Sequence, residues 1–389
     1  MLKWFIRGAA ALAVAALVAG LAYRDRIAQL LAVNSLFDDD VIVENFSRMP
    51  ELFYATPLAA SATPAPLPRG AEMALPAGYE AFVAARGLTS LLVLKDGAIV
   101  HEAYYQGTDA DDLRISWSVA KSYLSTLIGT AVDRGEIASL EDPVTDYAPA
   151  MAGTAYDGAR VIDVLRMQSG ALFDERYKVF SSDINRMGRV LALGASMDDF
   201  AQGITETRRA PGERFEYVSI DTHVLGMVLR GATGRSVVAL MEERLTGPLG
   251  IEAEGAYITD GRGVAFVLGG LNFTTRDYAR FGQMIMQGGT WRGERIVSES
   301  WLRAATRPSA TTAPGAIRYG YQWWIPADAD ISDPDHAFMG RGIYGQHLYV
   351  DPKANVVIVQ TAGDREFDAP GITAGYIDFF RALVAATEE

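Results

Sequence analysis

Between Ile115 and Gly135 the chain carries an apolar run that needs a deep core around it. Leu124, Leu127, Ile128, Ala131 and Val132 recur at three- and four-residue spacing, and Gly135 supplies a stop, so the spacing predicts a buried helix of about four turns. Ser118 falls in its first turn, and Lys121 lies one turn on, on the same face. A solvated lysine is out of place in such a helix. The chain has only five lysines, and Lys121 alone has a serine three residues before it. A serine hydroxyl is a poor nucleophile until a base takes its proton, and a lysine amine kept neutral by burial is such a base. The helix start adds free backbone N–H groups and a positive dipole end, both useful where an oxyanion develops.

A core that deep needs length, and 389 residues suffice for one large domain or two modest ones. Hydrophobic content of 49% with 21% charged residues fits a globular chain. A net charge of −13 with no basic run argues against nucleic acid. No cysteine is present, which excludes disulfides and thiolate metal sites. Residues 1–23 read as a targeting segment: Lys3 and Arg7 open it, Gly8–Tyr23 is uncharged and rich in Ala, Leu and Val, and Arg24-Asp25-Arg26 ends it. The favoured expectation is an uncleaved membrane anchor with the rest of the chain outside the cytoplasm, at a bacterial inner membrane. The alternative is a signal peptide cleaved near Gly20-Leu21-Ala22, giving a periplasmic or secreted protein.

Residues 24–80 read as an arm or linker. Asp38-Asp39-Asp40 and the Pro-, Ala- and Ser-rich stretch Thr56–Pro76 are not expected to bury much or pair regularly, while Val41-Ile42-Val43 and Phe46 are apolar enough to dock. Residues 81–389 form the main domain. Leu88–Leu94 and Ala98–Tyr105 make a hairpin around Lys95-Asp96-Gly97, and Gln346–Val350 with Asn355–Gln360 make a second around Asp351–Ala354. Ile372–Ala386 reads as a closing helix, and the chain from Ser118 to about Pro326 as mostly helical. The expected fold is therefore α+β, an α/β sandwich. One antiparallel sheet gathers strands from both chain ends, is flanked by helices, and stands beside a large helical region.

Two further stretches suit a site around Ser118. Tyr217-Val218-Ser219 follows the turn Pro211-Gly212-Glu213 and precedes a helix from Asp221 through Val228. A tyrosine beside a lysine can relay a proton from the serine to a departing group. Gly340-Arg341-Gly342-Ile343-Tyr344-Gly345-Gln346 leads into a strand, where glycines let a substrate lie along the edge and expose a backbone N–H. The four histidines (His101, His223, His336, His347) show no metal-ligand spacing, so no metal and no cofactor is expected. No G-x-S-x-G elbow, Walker A loop or dinucleotide fingerprint occurs either.

Taken in order, these elements resemble the serine β-lactamase and penicillin-binding-protein superfamily, above all its class C-like branch of esterases, D-amino-acid peptidases and 6-aminohexanoate-dimer hydrolases. The resemblance runs from Ser118-Val119-Ala120-Lys121 through Leu140-Glu141-Asp142-Pro143-Val144, Tyr147 and Pro149 to Val164–Gly170. It continues with Pro211-Gly212, Tyr217-Val218-Ser219 and Gly345-Gln346, and covers roughly residues 80–389. It implies that Ser118 is acylated, that Lys121 and Tyr217 share the work of base and proton relay, and that the backbone N–H groups of Ser118 and Ile343 form an oxyanion hole. Ser219, Arg341, Gly342, Tyr344 and Phe173 are the implied substrate contacts. Where lactamases usually have Lys-Thr-Gly this chain has Gly340-Arg341-Gly342, so a carboxylate-gripping cation is either missing or supplied by Arg341. Tyr-x-Ser replaces the usual Tyr-x-Asn, and Phe173 stands where the aminohexanoate hydrolases are expected to have a tyrosine. The expected activity is a serine hydrolase cleaving a small-molecule ester or amide through an acyl-enzyme. The rival is a catalytically silent protein that binds cell-wall peptides or a protein partner.

Overall fold

The computed structural model describes residues 33–388 without a break and scattered positions between 4 and 31. The expected targeting segment therefore lies mostly outside the described residues. Among those residues, no single helix is long and apolar enough to cross a membrane.

A seven-stranded sheet gathers both chain ends, as expected. Its order is β3 (Ala98–Tyr104), β2 (Leu88–Lys95), β13 (Val356–Ala362), β12 (Gln346–Asp351), β11 (Phe338–Gly342), β10 (Trp324–Ile325) and β9 (Arg318–Tyr319). All its neighbours are antiparallel. The β2–β3 hairpin turns at Asp96 and Gly97, with φ of 52° and 79°, the two left-handed residues that a two-residue hairpin loop requires. Alternation along the central strands explains why their sequences are apolar throughout. Leu91, Val93, Tyr349, Val356 and Ile358 face one core, whereas Leu92, Leu94, Leu348, Val357 and Val359 face the other.

Six helices matter for the site: α1 (Tyr79–Ala85), α2 (Ala120–Asp133), α3 (Asp183–Ala192), α4 (Ser219–Thr233), α5 (Thr275–Met286) and α6 (Ile372–Ala386). α1 and α6 cover one face of the sheet through Tyr79, Val83, Tyr376, Phe380 and Leu383. The other face packs on α5, whose Gly282 leaves room for Val357 and Leu348, and on the helical region beyond. Short strands within the expected helical stretch pair with two that precede it. Ala55–Leu58 (β1), Arg114–Ile115 (β4), Gly255–Ile258 (β5) and Leu271–Phe273 (β6) form a second sheet in the order β1-β5-β6-β4, and Thr290–Trp291 (β7) pairs with Glu294–Arg295 (β8).

β1 corrects the expectation that the stretch from Thr56 onward would not pair. Ala55–Leu58 runs antiparallel to β5, and Pro57 is tolerated because β1 is an edge strand that can spare one N–H. Ile42 and Phe46 dock as expected, and Leu36, Met49, Phe53, Leu58 and Ala65 are buried with them. Each fully buried side chain of this size contributes about 1.5–3 kcal/mol. Two short helices, Ile42–Ser47 and Met49–Leu52, thus hold the segment through Ile42, Phe46 and Met49.

α2 is the buried helix the spacing predicts. Residues 120–131 are all buried, and its two threonine hydroxyls are satisfied within the helix: Thr126 Oγ1 donates to Ser122 O (3.0 Å) and Thr130 Oγ1 to Leu127 O (2.7 Å). Gln322 binds the layers together. Its backbone carbonyl accepts from Ser122 Oγ (2.9 Å), its side-chain oxygen from Thr222 Oγ1 (2.7 Å), and its Nε2 donates to Leu165 O (2.9 Å).

Candidate active site

The chain leaves β4 and enters α2 within a few residues, and Trp117 makes the bend. Its φ is 41°, a strained value for a bulky residue, and it is followed by a 3₁₀ turn over Trp117–Val119 that carries Ser118 just ahead of α2. Ser118 thus sits one turn earlier than the α-helix proper and lines a cavity of about 330 Å³. Lys121 is 1% exposed. Its Nζ donates to Ser219 Oγ (3.3 Å) and lies 5.4 Å from the centre of the Tyr217 ring. Burial lowers its pKa from 10.5 to about 7, against the opposing pull of Glu175 and Asp221.

Tyr217 is half-buried. Burial, then the charge of Glu175, raises its pKa, while hydrogen bonding with Ser118 and Ser219 and the charge of Arg341 pull the other way. Ser118, Lys121, Tyr217 and Ser219, far apart in the chain, therefore meet in one cluster.

Sequence reasoning missed Glu175. It accepts from Ser219 N (2.9 Å), from the Ser219 hydroxyl, and from Tyr177 Oη (2.6 Å). Burial raises its pKa, and Lys121 acts in the other direction. Asp221 is a second buried carboxyl, pushed up to about 7 by burial although Tyr156 Oη and Ser169 Oγ each donate to it at 2.7 Å. Nothing in the spacing marks either acid, because both reach Lys121 only through the fold.

The glycine-rich stretch runs beside the serine turn. A Cβ on Gly342 would lie 2.6 Å from Ser116 O and 3.0 Å from Ser118 N, so only glycine lets β11 run this close to the serine turn. Ile343 and Tyr344 line the cavity, and Tyr344 takes a left-handed φ of 59°. Arg341 does not line it. Its guanidinium lies 5.8 Å from the Trp324 ring, which in turn packs 5.3 Å from Tyr217, and it donates to Phe367 O (3.4 Å). Among the described residues no carboxylate forms an ion pair with it.

Phe173 needs correction. It is 3% exposed, packs in the main core and does not line the cavity. The segment around it is held flat by an Ala171–Thr207 bridge and by Leu172 N donating to Glu206 O (2.8 Å), which turns its ring inward. Tyr177, four residues on, is the aromatic that reaches the cavity. Asn185 holds that loop by donating to Tyr177 O and Val179 O, both at 2.8 Å.

The cavity is mostly apolar. Phe37, Met49 and Phe53 from the arm wall one side, Ile184, Met187 and Leu191 of α3 another, and Phe266 and Leu268 a third. Among the described residues no group of His, Asp and Glu has metal-site geometry.

A two-sided sheet beside a helical region, with a serine turn at their junction, is the architecture of β-lactamase and transpeptidase-like domains. The comparisons agree. A sequence profile of the β-lactamase family matches residues 79–373. A 6-aminohexanoate-dimer hydrolase from Paenarthrobacter ureafaciens is 31% identical over 316 residues, covering 76% of this chain and 79% of that protein. A solved structure from Bacillus anthracis, provisionally described as a 6-aminohexanoate-dimer hydrolase, superposes with a TM-score of 0.80 at 23% identity, over 91% of this chain and 96% of its own. The octameric penicillin-binding protein homologue of Pyrococcus abyssi gives 0.56 at 18% identity, over 78% and 76%. The chain belongs to the β-lactamase family and is a hydrolase of that fold.

Proposed function

We propose that this protein is a serine hydrolase that cleaves a small ester or amide through an acyl-enzyme on Ser118. The observation that carries this reading is the buried Lys121 amine, one turn beyond Ser118, with a proton affinity lowered to about 7. Near neutrality a large share of it is free base. Tyr217, raised above its ordinary value, keeps its proton and suits the part of carrier rather than base.

In this reading Ser118 Oγ attacks the carbonyl carbon and its proton passes to Lys121, directly or across the Tyr217 hydroxyl. The backbone N–H groups of Ser118 and Ile343 hold the oxyanion. The leaving alcohol or amine departs with that proton, and water then releases the acyl group by the same steps in reverse. Amide cleavage is the chemistry named for the Paenarthrobacter relative, and it supports including amides here. Arg341, without a carboxylate partner beside Tyr217 and Trp324, supports a weak anion contact on the leaving-group side.

The test is a fluorophosphonate probe read by intact mass. One adduct on the wild type, absent in Ser118→Ala, is the expected result. No adduct, under conditions that label a related esterase, would leave the silent binder as the better account. The apolar segment Met1–Tyr23 further supports a domain held at the membrane outside the cytoplasm, or released there by cleavage. Carbonate-resistant pelleting with an intact N-terminus expects the anchor, whereas a soluble protein starting near Tyr23 expects the cleaved form.

A further inference from the structure

The cavity at Ser118 is built partly by residues that precede the family-matched region. Phe37, Met49 and Phe53 lie upstream of residue 79, where the match to the β-lactamase family begins. They are not loosely placed. Phe37 stacks on Tyr344 at 4.7 Å and 12° and packs 5.7 Å from Trp117. Phe46 behind it lies 5.6 Å from both Trp117 and Tyr344. The residues bordering the nucleophile on both sides, Trp117 before it and Tyr344 on the strand edge, are thus clamped by the arm. Opposite, α3 presents Ile184, Met187 and Leu191. The cationic side chains at the rim are already engaged: Lys178 pairs with Asp368 (2.7 Å), and Arg189 lies 4.2 Å from the Phe180 ring and donates to Phe180 O (2.9 Å).

From this we infer that the arm and α3 together form the acyl subsite, and that the acyl group of the substrate is an apolar chain of medium length. The inference rests on the serine-hydrolase reading and narrows it to a substrate class. A space of about 330 Å³ is far larger than a single water needs and takes a chain of several carbons. A charged or strongly hydrated acyl group would lose its water there without finding free partners. Each methylene added to the chain removes apolar surface from water and raises kcat/KM by about threefold until the cavity is full.

Gly188 gives a clean way to fill the space. It lines the cavity on α3, and a Cβ there would meet nothing within 4 Å. A leucine at that site suits the helix as well. The experiment measures p-nitrophenyl esters from acetate to dodecanoate on the full-length protein, with binding of the acetyl and octanoyl esters to Ser118→Ala measured by calorimetry. Wild type is expected to prefer octanoate over acetate in kcat/KM by at least about a hundredfold. In Gly188→Leu and in Phe37→Ala that ratio should fall by about tenfold, the first through filling and the second through loss of a wall. Turnover of acetate with no gain along the series, and equal binding of both esters by Ser118→Ala, would overturn the acyl subsite while leaving the hydrolase reading intact. No turnover of any ester, with octanoyl still bound more tightly than acetyl, would keep the subsite and overturn the hydrolase reading.

Discussion

On one side of Ser118 the molecule is polar and tightly held. Hydrogen bonds link Lys121, Ser219, Glu175 and Tyr177, and a second group, Asp221 with Tyr156 and Ser169, acts on Lys121 through the charge of Asp221. On the other side lies a cavity whose walls are mostly apolar. The two regions are built from different parts of the chain: the polar one from family-matched residues, the apolar one partly from the arm upstream of them. The contrast teaches how labour is divided. Proton transfer needs fixed distances and shifted pKa values, which only a satisfied buried network provides. Choosing an acyl chain needs only shape and dryness, which loosely patterned apolar residues provide.

The sharpest way to break this contrast is to remove the atom at the border. Ser118→Ala deletes one hydroxyl and should cost at least about 10⁴-fold in turnover, while thermal unfolding stays within a degree or two of wild type. Retained turnover of p-nitrophenyl butyrate would move the nucleophile elsewhere.

Next comes the polar side alone. Lys121→Ala should cost at least about a hundredfold in kcat/KM, a typical size for losing a general base. In wild type, kcat/KM should climb as pH rises through about 7, because Lys121 must lose its proton to accept that of Ser118, and level off above. A flat profile across that range, or a Lys121→Ala enzyme within a fewfold of wild type, would assign the base to another group.

A smaller effect separates Glu175 from a purely structural role. Its charge raises the pKa of both Lys121 and Tyr217, so Glu175→Gln should shift the acidic limb of the profile to lower pH. A limb that stays in place, with activity simply scaled down, would mean that Glu175 only holds Ser219 and Tyr177 in position.

The smallest effect belongs to Arg341, which touches neither the cavity nor the nucleophile. Arg341→Ala should change butyrate ester turnover by less than about fivefold, since no more than one charge-assisted contact is at stake. Nitrocefin should be a poor substrate of the wild type, lacking the lysine that lactamases carry at this strand. Nitrocefin turnover that rivals the ester and vanishes in Arg341→Ala would show that the guanidinium restores that grip.

The amino-acid sequence by itself determined the elements whose pattern is local. The apolar spacing from Leu124 to Val132 set α2, Asp96-Gly97 set the first hairpin, and Ile372–Ala386 came out with its observed ends. Ser118 and Lys121 were legible because both lie on one helical turn, and Tyr217 and Ile343 because their flanking turns and glycines are distinctive. Tertiary structure alone decided the rest. Glu175 carries no local signature, since an acid in a loop is ordinary until folding buries it between Ser219 and Tyr177. Phe173 and Tyr177 are four residues apart, and only the Ala171–Thr207 bridge decides which of the two aromatics faces the cavity. The arm is the plainest case. Ile42, Phe46, Met49 and Phe53 recur at helical spacing, and two short helices (Ile42–Ser47 and Met49–Leu52) form there, but spacing alone assigns them no partner. Their burial is set by the hollow that Trp117, Tyr344 and β5 leave open, and that hollow exists only once the strands from both chain ends have met.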